Sequence, residues 1–221
     1  MPCCTTTPDE HADDLHRLIQ AVDAGPVDVF ANSGGAVNGL VLVAKHPAEV
    51  RTLVAHEPPV LQELPDREAA LAASKDIHQT YQLSGFGPAM AKFIALISLA
   101  GPIPDGFADQ PAPEPAAFGL PADDDGSRDD PLVGQNQITC THYHHDFDAL
   151  RAASTRIVIA GGIKSRDLIT GRAVTAVAAR LGIDPVIFPG SHDGFLGGEY
   201  GAMGEPDAFA AKLHQVLAGA H

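Results

Sequence analysis

Three side chains able to do chemistry stand just after predicted strands: Ser33, Glu57 and His192. A fourth region, Gly161 to Asp167, follows another strand. A serine hydroxyl is a poor nucleophile at neutral pH. It needs a base within hydrogen-bond reach, and the base needs an acid to orient it. Ser33 lies in Ala31-Asn32-Ser33-Gly34-Gly35, after the apolar run Val27-Asp28-Val29-Phe30. From Ala36 the pattern turns helical, with Leu40, Val41 and Ala44 on one face. A serine among small residues at a strand-to-helix turn is the setting of a nucleophile elbow, which exposes the hydroxyl at the carboxyl end of a parallel strand. Ala31 stands at the first position of G-x-S-x-G. Gly35, lacking a Cβ, is expected to let strand and helix approach closely.

His192 follows the predicted strand Asp184-Pro185-Val186-Ile187-Phe188, in a loop flanked by Gly190 and Gly194. Such a histidine would take the hydroxyl proton and return it to the leaving group. Glu57 follows the strand Arg51 to His56, where Pro58 and Pro59 forbid further pairing. Open parallel sheets bind ligands outside the carboxyl ends of their strands.

The elements that must position these groups alternate. Thr7 is a helix N-cap, Pro8 takes the first helical position and Glu10 completes a capping box; Leu15, Leu18, Ile19 and Val22 form the apolar stripe. The elbow strand follows, then a helix to about His46, stopped by Pro47, then the strand at 51–56. Helices are expected at 66–83 and 88–100, the second more apolar and fit to pack on the core or to cover a pocket. Residues 101–131, rich in proline and aspartate, read as a solvated loop without EF-hand spacing. His142, His144, His145 and Asp146 are dense but lack a second cluster at ligand spacing, so they lead instead into a helix from Asp146 to Ala153. Alternation resumes with a strand at 156–160, a helix at 167–181, the strand at 184–188 and a helix at 206–218. Strand–helix alternation with short connections implies a parallel α/β sheet with right-handed crossovers. Three units follow: residues 1–60, the first part of the core; 61–150, an inserted helical cap with an acidic loop; 151–221, the second part of the core.

The 221 residues carry 28 Asp and Glu against 14 Lys and Arg, a net charge of −14. That balance argues against nucleic acid or an anionic membrane as partner. No run approaches the length of a transmembrane span, and the N-terminus has no basic flank and apolar core. Cys3, Cys4 and Cys140 form neither a disulfide framework nor a zinc site, so a reducing cytoplasm is the expected location. No cofactor and no metal is expected.

The order of elements, ANSGG at the elbow and PGSH-DGF near the end resemble the α/β-hydrolase family, over nearly the whole chain. The order serine, acid, histidine is that family's order. The segment 61–150 matches the place of its helical cap. The resemblance implies a serine hydrolase acting on a small ester, thioester or lactone. Ser33 would be the nucleophile, His192 the base and the Gly34 N–H an oxyanion donor. The family's acid usually follows the strand before the last, where this chain has Ser165 in the expected place and Asp167 two residues later. Some members, haloalkane dehalogenases among them, carry the acid after the strand that follows the elbow helix, which is Glu57 here. Glu57 ranks slightly ahead of Asp167. A serine at the elbow argues against dehalogenase and epoxide hydrolase chemistry, while perhydrolase and cofactor-free haloperoxidase activity share the same set. The family's N-terminal strands, one of which precedes a second oxyanion donor, have no counterpart here. The implied core is a partial one of about four strands, and its open edge is expected to be completed by a homodimer partner or other protection. The alternative is a truncated fold of weak or no activity that binds a small molecule or a partner.

Overall fold

The computed structural model describes residues 6–219. Cys3 and Cys4 lie outside the described residues. Helix α1 (Pro8–Val22) opens on the expected capping box: the Glu10 N–H donates to Thr7 Oγ1, and the Thr7 N–H donates to Glu10 Oε2 at 2.7 Å. Strand β1 (Val27–Asn32), helix α2 (Gly34–Lys45) and strand β2 (Val50–His56) follow. Between β2 and strand β3 (Arg156–Gly162) come α3 (Arg67–Ser84), α4 (Phe86–Ile97), α5 (Gln137–Thr141) and α6 (Phe147–Ala152). Helix α7 (Ile169–Leu181), strand β4 (Val186–Phe188) and α8 (Pro206–Leu217) complete the chain.

The four strands are parallel in the order β1-β2-β3-β4. Their residues alternate between two cores. Leu53, Ala55 and Ile159 face a core shared with α1, α2 and α7, while Val54, Val158, Ala160 and Phe188 face Phe209 and Val216 of α8. Helices thus cover both faces, and a third core joins α3, α4 and the start of α7. No helix among the described residues is long and apolar enough to cross a membrane.

The structure corrects four local expectations. Leu15 and Ile19 pack against the core, but Leu18 and Val22, on the same stripe, are each 60% exposed. Gly35 has open space where a Cβ would be; close approach occurs instead at Gly39, whose Cβ would stand 3.0 Å from Leu53 Cδ1. Helix α7 starts two residues late, because Leu168 bridges Ala100 and the Gly101 N–H donates to the Asp167 carbonyl (2.8 Å). Strand β4 is short because Pro185 has no N–H to donate.

Candidate active site

The chain rises out of β1 into α2 through a single residue. Ser33 has φ 56° and ψ −130°, a conformation that costs a non-glycine residue about 1–3 kcal/mol. Its N–H donates to the His56 carbonyl (2.9 Å), which anchors the turn to β2, and its hydroxyl caps no helix. Gly34 is the first residue of α2, so its N–H has no acceptor inside the helix and lies at the positive end of the helix dipole.

Glu57, one strand over, is a second non-glycine residue at positive φ, 49°. Its N–H is tied to the Ala160 carbonyl (2.8 Å) and its side chain is fully buried. The carboxylate accepts three hydrogen bonds. The Gly162 N–H donates to Oε1 (2.9 Å), Thr170 Oγ1 donates to Oε2 (2.6 Å), and His192 Nδ1 stands 2.7 Å from Oε2. Burial alone would raise its pKa. The donors from His192, Thr170 and Gly162 outweigh it and pull the group down to about 2. Glu57 is therefore an anion at any working pH, and it requires a proton on His192 Nδ1. Nε2 is then the ring's free acceptor.

The loop carrying His192 is folded back by Gly190, at φ 81°. A Cβ there would stand 2.8 Å from Gly194 Cα, so both glycines are used as expected. Asp167 is not brought to this pair. Its carboxylate is exposed and makes no hydrogen bond or ion pair among the described residues, and only its carbonyl is engaged, by the Gly101 N–H. The place of Ser165 is fully buried, but its Oγ has no partner among the described residues.

Ser33 and His192 line one cavity of about 540 Å3, a volume ordinary for a small-molecule site. Phe93, Leu96 and Ile97 of α4 supply an apolar wall, and Leu132, Gln137 and Cys140 come from the segment ending in α5. Burial pushes the Cys140 thiol up to about 11, so it contributes surface rather than a thiolate. Among the described residues no Lys or Arg lines the cavity, whereas Asp193 does.

Behind the two strained turns lies a pair that the sequence reading missed. Asn32 and His56 are cross-strand neighbours, each one residue before a site residue, and Asn32 Oδ1 is 2.7 Å from His56 Nδ1. The His56 ring is enclosed by Phe188 and Phe209. Burial lowers its pKa to about 4, and that of His145, packed between Tyr143 and Phe147, also to about 4. In the unfolded chain both take up protons near pH 6.5. Their neutral burial thus favours the fold fully above pH 6.5, and that advantage is lost as pH falls towards 4. Each contributes about 3 kcal/mol over this range, together comparable to the whole stability of a domain. Denaturant titrations at pH 7, 5.5 and 4.5 should show stability collapsing before Glu57 begins to protonate. An unchanged unfolding midpoint at pH 4.5 would contradict this.

No protein-family model matches the chain. The Bacillus subtilis (strain 168) protein called "Uncharacterized hydrolase YraK" is 30% identical over an alignment of 213 residues that covers 94% of this chain and 69% of that protein. Rv0554 from Mycobacterium tuberculosis shares the fold at a TM-score of 0.64 and 19% identity, over 98% of this chain and 74% of its own. A carboxylesterase structure from the thaumarchaeon Nitrososphaera gargenis matches at a TM-score of 0.54 and 14% identity, over 99% and 72%. With a four-stranded parallel sheet flanked by helices, these likenesses define an α/β-hydrolase fold. The chain belongs to the α/β-hydrolase family, and its class of activity is that of a hydrolase.

Proposed function

We propose that the protein is a serine hydrolase cleaving small, uncharged esters, thioesters or lactones, with Ser33, His192 and Glu57 as its triad. The observation that carries this reading is the 2.7 Å contact between a buried, anionic Glu57 and His192, in the cavity that Ser33 also lines. Ser33 Oγ attacks the carbonyl carbon while His192 Nε2 takes its proton. The oxyanion is met by the Gly34 N–H at the start of α2. Collapse breaks the bond to the leaving oxygen or sulfur, which receives the proton from His192. Water, deprotonated by the same nitrogen, then releases the acid and restores Ser33. Helices α3 to α5 serve as the cap, with α4 presenting apolar surface to the acyl group. The outer edge of β1, which no described strand pairs, supports a homodimer formed through that edge. A monomer by light scattering would rule the dimer out.

The absence of Lys and Arg from the cavity lining, together with Asp193 on it, disfavours anionic substrates. A carboxylate brought into such a site is left uncompensated, at a cost of several kcal/mol. The protein should hydrolyse p-nitrophenyl butyrate with a kcat/KM at least about a hundredfold above that for p-nitrophenyl hemisuccinate. Comparable rates would contradict the uncharged-substrate reading. No turnover of any neutral nitrophenyl ester by folded protein would contradict the hydrolytic one.

A further inference from the structure

The opposite end of the sheet holds a second constellation. Among the described residues, one group of three metal-ligating side chains converges: His16, His46 and Glu49, with candidate ligand atoms all within 4.8 Å of one another. We propose that these three residues bind a single divalent transition-metal ion of the zinc type, which ties α1 to the turn between α2 and β2.

The three come from different elements, and each is held by its own backbone. His16 projects from α1, whose start is fixed by the capping box. His46 is the residue at which α2 stops before Pro47. The Glu49 N–H donates to the His46 carbonyl (3.1 Å), and its own carbonyl accepts from Val27 N–H (2.9 Å), so the turn is locked to β1. His16 Nδ1 stands 2.8 Å from Glu49 Oε1 and 2.9 Å from Oε2. Gln20 Nε2 donates to Oε1 (2.6 Å) and orients the carboxylate from outside, as outer partners do at metal sites. The nearby Lys45 is held by Asp13 at 2.7 Å and Asp9 at 3.5 Å, so its charge is already offset.

A plain ion pair explains His16 and Glu49 but gives His46 nothing to do. The His46 ring stacks on His16 with centroids 3.9 Å apart and planes 7° apart, and it makes no hydrogen bond among the described residues. Stacking leaves both nitrogens of the His46 ring without a partner among the described residues, and a neutral imidazole is the form that ligates metal. Zinc bonds of about 2.0–2.2 Å place ligand atoms roughly 3.3 Å apart in a tetrahedron. Binding therefore opens the His16–Glu49 contact by about half an ångström and turns the His46 ring out of its stack, both within side-chain torsions. Two imidazoles and one carboxylate, with water as the fourth ligand, suit zinc and its neighbours rather than calcium or magnesium, which take oxygen ligands. The site lies at the amino ends of the strands, so its effect is on the anchoring of α1 and not on the hydrolytic groups.

Calorimetric titration of chelator-treated full-length protein with zinc chloride at pH 7.5 tests this, beside His46→Gln and His16→Gln. The wild type should bind one ion with Kd at or below about 1 µM, and each variant should bind at least about a hundredfold more weakly. Zinc at a hundred times Kd should raise the wild-type Tm by roughly 5–10 °C and leave the variants unmoved. Binding weaker than about 10 µM in the wild type overturns the proposal. So does wild-type affinity in His46→Gln, which would leave an adventitious ion on the His16–Glu49 pair only. His46 is half-exposed at a helix end, so its variant should fold even where His16→Gln does not.

Discussion

Ser33→Ala should lower kcat towards neutral esters by about a millionfold while KM changes little. In the proposed mechanism the hydroxyl supplies the atom that bonds to the carbonyl, so its loss removes the covalent path. What remains is the Gly34 N–H and the apolar cavity, which bind substrate and polarise it weakly. The backbone of the turn does not depend on the hydroxyl, since the Ser33 N–H bond to His56 and the α2 hydrogen bonds stay in place. Alanine occupies φ 56° no more easily than serine, so stability should change by less than about 1 kcal/mol. Circular dichroism and steady-state turnover of p-nitrophenyl butyrate separate the two effects. Retention of a tenth of wild-type kcat would exclude Ser33 as the nucleophile.

Glu57→Gln should cost about ten-thousandfold in kcat, and Asp167→Asn less than about twofold. The amide that replaces the Glu57 carboxylate keeps an acceptor for the Gly162 N–H. It loses the charge that fixes the His192 proton on Nδ1 and stabilises the imidazolium during proton transfer. Asp167, exposed and unpartnered among the described residues, has no such part in the proposed triad. Removing the carboxylate altogether, in Glu57→Ala, also strands Thr170 and His192 around a buried gap. This should destabilise the fold by roughly 3–5 kcal/mol. The pH dependence follows from the lowered Glu57 pKa. Its stabilising effect is complete above pH 4.5 and is lost only as pH falls towards 2. A loss of activity above pH 4.5 thus reports other groups or unfolding, not Glu57. A reversed order, with Asp167→Asn crippled and Glu57→Gln active, would move the acid to Asp167.

Much of the site was legible because its parts are local. The elbow needs only an apolar run, small residues and a helical pattern, and all three are contiguous from Val27 to Lys45. The capping box is likewise a matter of four neighbouring residues. The choice between Glu57 and Asp167 was not local. Both follow strands, and what favours Glu57 in the proposed triad is the position of the Gly162 N–H and Thr170, more than a hundred residues away from it. The Asn32–His56 pair was hidden for the same reason, although its signal was present: a polar residue immediately before each strained turn, at strand positions whose neighbours alternate into a core. Helix α5 escaped notice because Gln137–Thr141 is one turn of mixed residues following a π-type turn at Leu132–Asn136, with no apolar period. In α1 the stripe was readable but its covering was not, since pattern marks which face is apolar and not how far a neighbour extends. The His16, His46 and Glu49 cluster shows the same limit, because its three members meet only when α1 folds onto α2.

The most direct measurement is labelling with a fluorophosphonate, which reacts with a serine only when its base is in place and the phosphoryl oxygen is received. Wild type, Ser33→Ala, His192→Ala and Glu57→Gln are compared at pH 7.5, each shown folded. A working triad requires fast stoichiometric labelling of the wild type, none of Ser33→Ala, and labelling slowed by at least about a thousandfold in the other two. A folded wild type that stays unlabelled, or a Ser33→Ala protein that labels as fast, would contradict it, and the cavity would then be a binding pocket without this nucleophile.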